Sequence, residues 1–250
     1  MEPERQVSDS LRFACTGCGK CCTGHHVPLT LEESRRWAAS GGQVIVLIEA
    51  FVVDGPGMPV EQREHVLRRS HAVACGGSEV CVAVTFAAFN PGRCRNLDDN
   101  DLCTIYDQRP LVCRIYPVEI NPHIPLRPES KDCPPEAWAQ GPQLIHGQVP
   151  VDLELAALVQ ASRQADRDDI AAKVAVCQML GMTTSALKGN GFTAYLPDMG
   201  AFAAALAEVP EADRAQWTLH VEDQALVASL QAHGVHTTNE PPLYYAFIGF

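Results

Sequence analysis

The sequence has no apolar run long enough to cross a bilayer. The longest such run, residues 44–53, is interrupted by Glu49, whereas a membrane-spanning helix needs about 20 apolar residues. Residues 1–5 also lack the basic head and the apolar segment that begin a secretory signal. We therefore expect a cytoplasmic protein that makes no use of a membrane.

Basic residues are scarce as well. The chain has 19 Lys and Arg against 30 Asp and Glu, which gives a formal net charge of -11. This balance disfavours nonspecific attraction to nucleic acid or to anionic lipid, so we expect no nucleic-acid partner. Internal repeats and low-complexity tracts are also missing, and a hydrophobic content of 46% is typical of a globular fold.

Motifs of three enzyme classes are missing too. No glycine-rich loop joins a strand to a helix, as a nucleotide-like cosubstrate would need. Cys18-x-x-x-Cys22 has the first gap of a radical-enzyme motif, but His25 stands where the third cysteine should be. The pair Cys15-x-x-Cys18 has no βαβ context, which disfavours a thiol–disulfide oxidoreductase.

Cysteine, by contrast, is abundant. The chain has 11 cysteines, and four of them, Cys15, Cys18, Cys21 and Cys22, lie within eight residues. Tight clusters in a chain without a secretory signal more often bind metal than form disulfides. Two cysteines separated by two residues can face one ion, and this spacing occurs in both ferredoxins and zinc sites. The adjacent cysteines Cys21 and Cys22 are more naturally ligands of two different metal sites than of one. Alternatively, one of the two supports the site without binding the metal.

A second set of cysteines lies in a proline-rich segment, residues 90–133. Its members are Cys94, Cys103, Cys113 and Cys133. Their gaps match no common zinc finger, and buried structural thiols are an alternative interpretation because cysteine packs like a small hydrophobe. The prolines exclude long helices, and such a segment is easier to explain if a metal ion fixes it.

Long strings of this sequence match a known family. They are Phe13-x-Cys15-x-x-Cys18-Gly19-x-Cys21-Cys22, Val27-x-Leu29-Thr30, Cys94-x-x-Leu97, Cys103-x-Ile105-Tyr106-x-x-Arg109-Pro110-x-x-Cys113-Arg114-x-Tyr116-Pro117, and Cys133-Pro134. With these strings, residues 12–134 resemble the CxxCxxCC cysteine-cluster family, the YkgJ-type zinc- or iron-chelating domain. The resemblance implies metal chelation by all eight cysteines named above. Some relatives are flagellin lysine N-methylases, whereas most members have no assigned reaction.

Histidines and arginines near the cysteines are further candidates. His25 and His26 follow the first block closely enough to ligate a metal or to donate a supporting hydrogen bond, although adjacent loop histidines are more often exposed. Arg109 and Arg114 could steady thiolate charge through N–H···S contacts or pair with Asp107 or other carboxylates. They could equally brace the loop through backbone carbonyls.

Other residues of these regions are expected to be structural. The interpretation for Cys75 and Cys81 is structural thiols, and Cys177 lies on an apolar helical face that predicts the core. The aromatic residues near the cysteines are expected to form an apolar shell around the site; these are Phe13, Tyr106 and Tyr116.

Local patterns predict helices and strands on both sides of the cysteine-rich segment. Thr30 and Glu33 predict a capping box for a helix that ends near Ser40. Runs rich in β-branched and aromatic residues predict strands over 44–53 and 80–89. Helical spacing predicts a short helix over 60–70 and further helices from residue 151, over 199–208 and over 221–233.

These patterns predict an α+β protein with two domains. Residues 1–149 form an irregular, metal-stapled cysteine-cluster domain with short helices and strands. Residues 150–250 form a mostly α-helical region that serves an unknown protein partner or a family-specific role. The predicted function is metal binding through clustered thiolates, with a structural or electron-transfer role. The spacing favours an iron–sulfur cluster slightly over zinc. A protein-modifying enzyme of the lysine N-methylase kind is the alternative, and the sequence does not decide whether a reaction is catalysed.

Overall fold

The computed structural model describes residues 10–53, 60–189, 191–208, 215–240 and 245–248. It has an α+β fold, as predicted. The strands are β1 (Ser10–Arg12), β2 (Val27–Leu29), β3 (Val44–Phe51), β4 (His71–Cys75), β5 (Ser78–Ala88), β6 (Gln143–His146), β7 (Val149–Pro150), β8 (Thr184–Leu187), β9 (Phe192–Tyr195), β10 (Thr218–His220), β11 (Thr237–Thr238) and β12 (Tyr245–Ile248).

Helices of very different lengths accompany these strands. The α-helices are α1 (Leu31–Ala39), α2 (Arg63–Leu67), α3 (Leu111–Ile115), α4 (Pro135–Ala139), α5 (Leu153–Met179), α6 (Met199–Glu208) and α7 (Gln224–Ala232). Short 3-10 turns occur at Lys20–Cys22, Val60–Gln62, Tyr106–Gln108 and Pro128–Ser130. Within the described ranges, no helix combines the length and the apolar character that a membrane span requires.

The chain divides into two compact units that alternate along the sequence. The described residues of Met1–Val27 and Asn90–Gln164 form the first, which we call the cysteine unit, and those of Pro28–Phe89 and Ala165–Phe250 form the second, the sheet unit. These compact units differ from the segments 1–149 and 150–250 that the sequence suggested. The division at residue 149 into domains stays a prediction.

The cysteine unit has a small antiparallel sheet that anchors the chain before the first cysteine block. Strand β6 pairs with both β1 and β7. Beyond β1, the Ala14 amide donates to the Ala137 carbonyl over 2.8 Å, and the Phe13 ring packs on Trp138 with centroids 4.9 Å apart. Residues just before Cys15 therefore contact residues just after Cys133.

The sheet unit is built around β3 and β5, an antiparallel pair in continuous register from Val44↔Ala88 to Phe51↔Cys81. Strand β3 also pairs in parallel with β8, and the parallel order continues through β10 to β11. Most side chains of β3 and β5 are buried, because both strands lie inside the sheet. Both had been predicted as strands.

The region after residue 150 contains helices α5, α6 and α7, together with strands β8–β12 that the sequence did not predict. These strands have two to four residues each. A segment this short cannot display the alternation that identifies a strand, and buried parallel strands show little alternation in any case.

Three predicted helices are confirmed. Helix α1 begins at a complete capping box, in which the Thr30 hydroxyl accepts from the Glu33 amide over 3.1 Å and the Glu33 carboxylate accepts from the Thr30 amide over 2.9 Å. Helix α6 covers the predicted residues 199–208. Helix α7 begins at Asp223, whose carboxylate caps the Leu226 amide.

The three cysteines outside the family motif lie in the sheet unit, and all are buried. Cys75 pairs with Ser78, whereas Cys81 pairs with Ala72. Because neighbouring positions along a strand point to opposite faces, Cys75 and Cys81 lie on opposite faces of the sheet. Their burial and that of Cys177 agree with the structural role expected of them.

Candidate metal centre

The first cysteine block turns tightly because glycines permit it. Gly19 begins the turn Lys20–Cys22 with φ of 66°, in the left-handed region where side chains are strained. A Cβ on Gly19 would also lie 2.9 Å from the Cβ of Asp101. The glycine therefore allows the first block to approach the loop that connects Cys94 to Cys103.

Main-chain hydrogen bonds join the first block to the second. The Cys94 amide donates to the Cys22 carbonyl over 2.7 Å, and the Leu97 amide donates to the Cys94 carbonyl over 3.1 Å. Leu97 and Cys103 then form an antiparallel bridge. These contacts place Cys22, Cys94 and Cys103 in one connected piece of backbone.

Four thiols act on one another electrostatically, and we call them set B: Cys22, Cys94, Cys103 and Cys113. Burial raises the pKa of Cys113 to about 12, and the charges of Cys22, Cys94 and Cys103 also raise it. Burial is the main cause of the raised pKa of Cys94, and the charges of Cys22 and Cys103 add to it. Cys113 reaches this group from helix α3.

The remaining four thiols of the motif form a second group, set A: Cys15, Cys18, Cys21 and Cys133. The hydrogen bond with Cys22 raises the pKa of Cys21 most, followed by burial and by the charges of Cys22, Cys15 and Cys133. Burial raises the pKa of Cys133, and the charges of Cys18 and Cys15 raise it further.

The two sets meet at the adjacent cysteines of the first block. The sulfurs of Cys21 and Cys22 are 3.9 Å apart. Their hydrogen bond raises the pKa of Cys21 and lowers that of Cys22. Each of the two thiols interacts electrostatically with a different group of cysteines. Ligation of a metal by either residue stays a prediction.

The donors fit a metal centre by their chemistry. All 11 cysteines are free thiols, and thiolate sulfur is a preferred ligand of both zinc and iron–sulfur clusters. Across the described part of the chain, no three His, Cys, Asp or Glu side chains already take positions that would hold one ion. The assignment of ligands therefore rests on the two electrostatically coupled sets and not on a preformed coordination geometry.

Arg109 is a cation whose charge acts on Cys22 and Cys113 of set B, whereas Arg95 acts on Cys94. Its guanidinium stacks on the Tyr106 ring at 3.7 Å from the centroid, and its Nε donates to the Tyr106 carbonyl over 2.9 Å. The hydrogen bond with Cys21 is the main cause of the lowered pKa of Cys22, and Arg109 lowers it further. At Cys113, Arg109 opposes the increase in pKa that burial causes. The hydrogen bond to the Tyr106 carbonyl is the loop-bracing contact considered for Arg109, and its charge also favours the thiolate forms of Cys22 and Cys113.

Arg114 makes a carboxylate contact of the kind considered for it, whereas Tyr106 does not have its expected role. Arg114 pairs with Glu154, with 3.7 Å between Nη2 and Oε1. Tyr106 is 58% exposed, so its expected role in a water-excluding shell is wrong. It faces solvent because its ring covers the Arg109 guanidinium.

The two histidines after the first block have non-metal partners. His25 Nε2 lies 2.7 Å from Asp132 Oδ2, and both side chains are about half exposed. His26 Nδ1 accepts from the Asn90 amide over 3.1 Å, and burial lowers the pKa of His26. His25 therefore links the first block to the residue before Cys133.

Sequence reasoning missed the polar neighbours of Cys133. The Cys133 thiol lies 3.5 Å from the Tyr116 hydroxyl, and burial raises the pKa of Tyr116, with this contact adding to the increase. Tyr116 was expected to serve only as apolar cover, although its hydroxyl was the available signal. Asp132 is 107 positions from its partner His25, so no local pattern could have joined them.

Comparison with known proteins adds one match. A family model described as CxxCxxCC, "Putative zinc- or iron-chelating domain", matches residues 14–134. Neither the curated proteins nor the solved structures include a match to the chain. The matched segment contains all eight cysteines of sets A and B, so this part of the chain is similar to the zinc- or iron-chelating domain of the CxxCxxCC family.

Proposed function

We propose that the eight cysteines hold two metal centres, one bound by set A and the other by set B. The observation that carries this proposal is the separation of the thiols into two groups of four, joined only where Cys21 meets Cys22. Four thiolates form a complete ligand set for a structural zinc ion or for one iron–sulfur cluster.

Iron–sulfur clusters are our preferred occupants. The spacing Cys15-x-x-Cys18-x-x-Cys21 is the one that opens the ferredoxin run. Hydrogen bonds to cluster sulfurs tune the reduction potential, and the Gly17 amide lies 3.5 Å from Cys15 Sγ. When bound, such clusters would supply one-electron chemistry, whereas zinc would supply structure alone.

A structural contribution is part of this proposal for either metal. Zinc binding in small domains is worth about 10–16 kcal/mol, which is comparable with the whole stability of a domain, about 5–15 kcal/mol. The thiols must be reduced to bind, which is why we place the protein in a reducing compartment such as the cytoplasm.

Anaerobic purification followed by elemental analysis and an absorption spectrum tests the proposal. Clusters predict a brown protein with iron and acid-labile sulfide, and zinc predicts a colourless protein with about two ions per chain. Cys18→Ser removes a member of set A and Cys113→Ser removes a member of set B, so each should lower the metal content by about half.

Cys177→Ala is the matched control, because Cys177 is a buried thiol of the sheet unit. It should keep the full metal content. Full occupancy in Cys18→Ser or in Cys113→Ser would remove that residue from the centre, and a folded, metal-free native protein would end the proposal.

A further inference from the structure

The two sets of cysteines differ in their access to solvent. Cys15 of set A is exposed, whereas the other seven motif cysteines are partly buried. A short loop carries Cys15, and the sulfur contacts the amide of Gly17 within that same loop, at 3.5 Å. A reagent in solution therefore reaches set A first, at Cys15.

The backbone around set B is closed by hydrogen bonds between its own segments. Cys94 is joined to Cys22 over 2.7 Å, and the Leu97 amide donates to the Cys94 carbonyl over 3.1 Å. The bridge between Leu97 and Cys103 completes this connection. Moving any of these three cysteines away from the others requires main-chain hydrogen bonds to break.

Set A is held by weaker contacts. The ion pair of His25 with Asp132 is about half exposed, and an exposed pair contributes little to stability. Cys133 contacts the Tyr116 hydroxyl through its side chain alone. The main chain is fixed just outside the set, where Ala14 pairs with Ala137, so an opening motion would be confined to the loop that carries Cys15.

We infer that set A is an exchangeable metal site, whereas set B retains its metal. This inference rests on the proposed function. The incoming ligand is a soft donor, such as the thiolate of a small molecule or of another protein. Its donor atom bonds to the ion while Cys15 releases its own bond, and the freed Cys15 thiolate then takes a proton from water. No electron is transferred in this exchange.

Release of zinc from the full chain tests the inference. The apo protein is loaded with zinc(II) under anaerobic conditions, and an excess of the chromogenic chelator 4-(2-pyridylazo)resorcinol then reports the released ion. We expect two phases of equal amplitude, with the first about tenfold faster than the second or more. One common rate for both ions would overturn the inference.

Variants assign the phases. Cys15→Ser should lose the fast phase and keep the slow one, whereas Cys113→Ser should lose the slow phase and keep the fast one. The opposite assignment would overturn the inference. Cys177→Ala should reproduce both phases of the unmodified chain.

Alkylation of the unmodified chain avoids any variant that fails to fold. Samples withdrawn between the two phases are treated with iodoacetamide, and the labelled cysteines are identified by mass spectrometry. Labelling of set A before set B supports the inference, and the reverse order refutes it. If the chain loads only one zinc ion, the two-centre proposal fails. The inference fails with it, whereas two ions released at one common rate would overturn the inference and leave the two-centre proposal standing.

Discussion

The cysteine unit and the sheet unit stabilise their folds in different ways. In the sheet unit, large side chains such as Trp217, Phe86 and Phe202 are fully buried, and Phe86 of β5 packs against Phe202 of α6. In the cysteine unit, by contrast, α3 and α4 have five residues each and loops carry most of the motif cysteines. Of the largest fully buried side chains in the described residues, Ile115 and Ile145 belong to the cysteine unit. One unit has a large hydrophobic core, and we expect the other to depend on bonds to a metal.

Removal of the metal should have the largest effect, and it should affect the cysteine unit alone. Zinc binding in small domains is worth about 10–16 kcal/mol, and few large side chains of that unit are fully buried. Hydrogen exchange on the full chain, with and without chelator, is the measurement. We expect amides of residues 94–116 to lose protection in the apo protein, while those of β3 and β5 keep theirs.

Rebinding provides the control for metal removal. Zinc or reconstituted clusters should restore protection in 94–116, because the loss arises from missing ligand bonds. Equal protection of that segment with and without metal would contradict the expectation that the cysteine unit depends on metal. So would a simultaneous loss of protection in β3 and β5.

A cavity in the sheet unit should have the next largest effect. Phe202 is fully buried on α6, and its ring meets Phe86 edge-on with centroids 5.1 Å apart. Phe202→Ala should lower the free energy of unfolding by about 3–5 kcal/mol, as measured by chemical denaturation. The metal content of the folded protein should not change, because no motif cysteine lies in this unit. Loss of metal from folded Phe202→Ala would contradict the expectation that metal binding in the cysteine unit is independent of the core of the sheet unit.

The sequence predicted best those parts of the fold whose signals are local. The capping box at Thr30 and the long apolar runs of β3 and β5 contain their whole signal in a few neighbouring residues. Strands β8–β12 lacked such a signal, because each is short and is fixed by pairing with distant partners. The alternation of the two units along the chain depends likewise on contacts between residues far apart in sequence.

The candidate site shows the same limit. The family resemblance implied the eight cysteines as ligands, but neither it nor the spacing said which of them interact with one another in the fold. Cys133 joins Cys15, Cys18 and Cys21 only through folding, because more than a hundred residues separate it from this block. The pairing of Asp132 with His25 has the same cause. The motif arginines looked equivalent in the sequence, yet Arg109 acts on set B whereas Arg114 pairs with Glu154.

A matched pair of glycine substitutions should have an intermediate effect. Gly19 and Gly24 both have positive φ, of 66° and 74°, so alanine at either position costs about 1–2 kcal/mol in backbone strain. At Gly24, the added Cβ meets nothing within 4 Å, whereas at Gly19 it lies 2.9 Å from the Cβ of Asp101. Gly19→Ala should therefore weaken metal binding about tenfold more than Gly24→Ala, as measured by competition with a chelator.

This difference isolates the close approach of the two cysteine blocks. If the two substitutions weaken metal binding equally, backbone strain explains the whole effect. The contact between Gly19 and Asp101 would then have no part in assembling the site.

The smallest predicted effect distinguishes the two arginines by pH. Burial raises the pKa of Cys113 to about 12, and Arg109 opposes that increase. Because a thiol must lose its proton to bind metal, occupancy should fall as the pH falls. Arg109→Gln removes the opposing charge, which raises the thiol pKa and lets protons displace metal at a higher pH. The midpoint of metal loss should move upward by up to about one pH unit.

Arg114→Gln is the control, since it removes the same charge from a residue that pairs with Glu154. Zinc-loaded variants are equilibrated across a pH series, and the bound metal is measured after removal of the free ion. Arg114→Gln should leave the midpoint where it is in the unmodified chain. Equal upward shifts in both variants would mean that general charge, and not the position of Arg109, acts on set B. A downward shift in Arg109→Gln would reverse the assigned sign, because it would mean that Arg109 favours the protonated thiols.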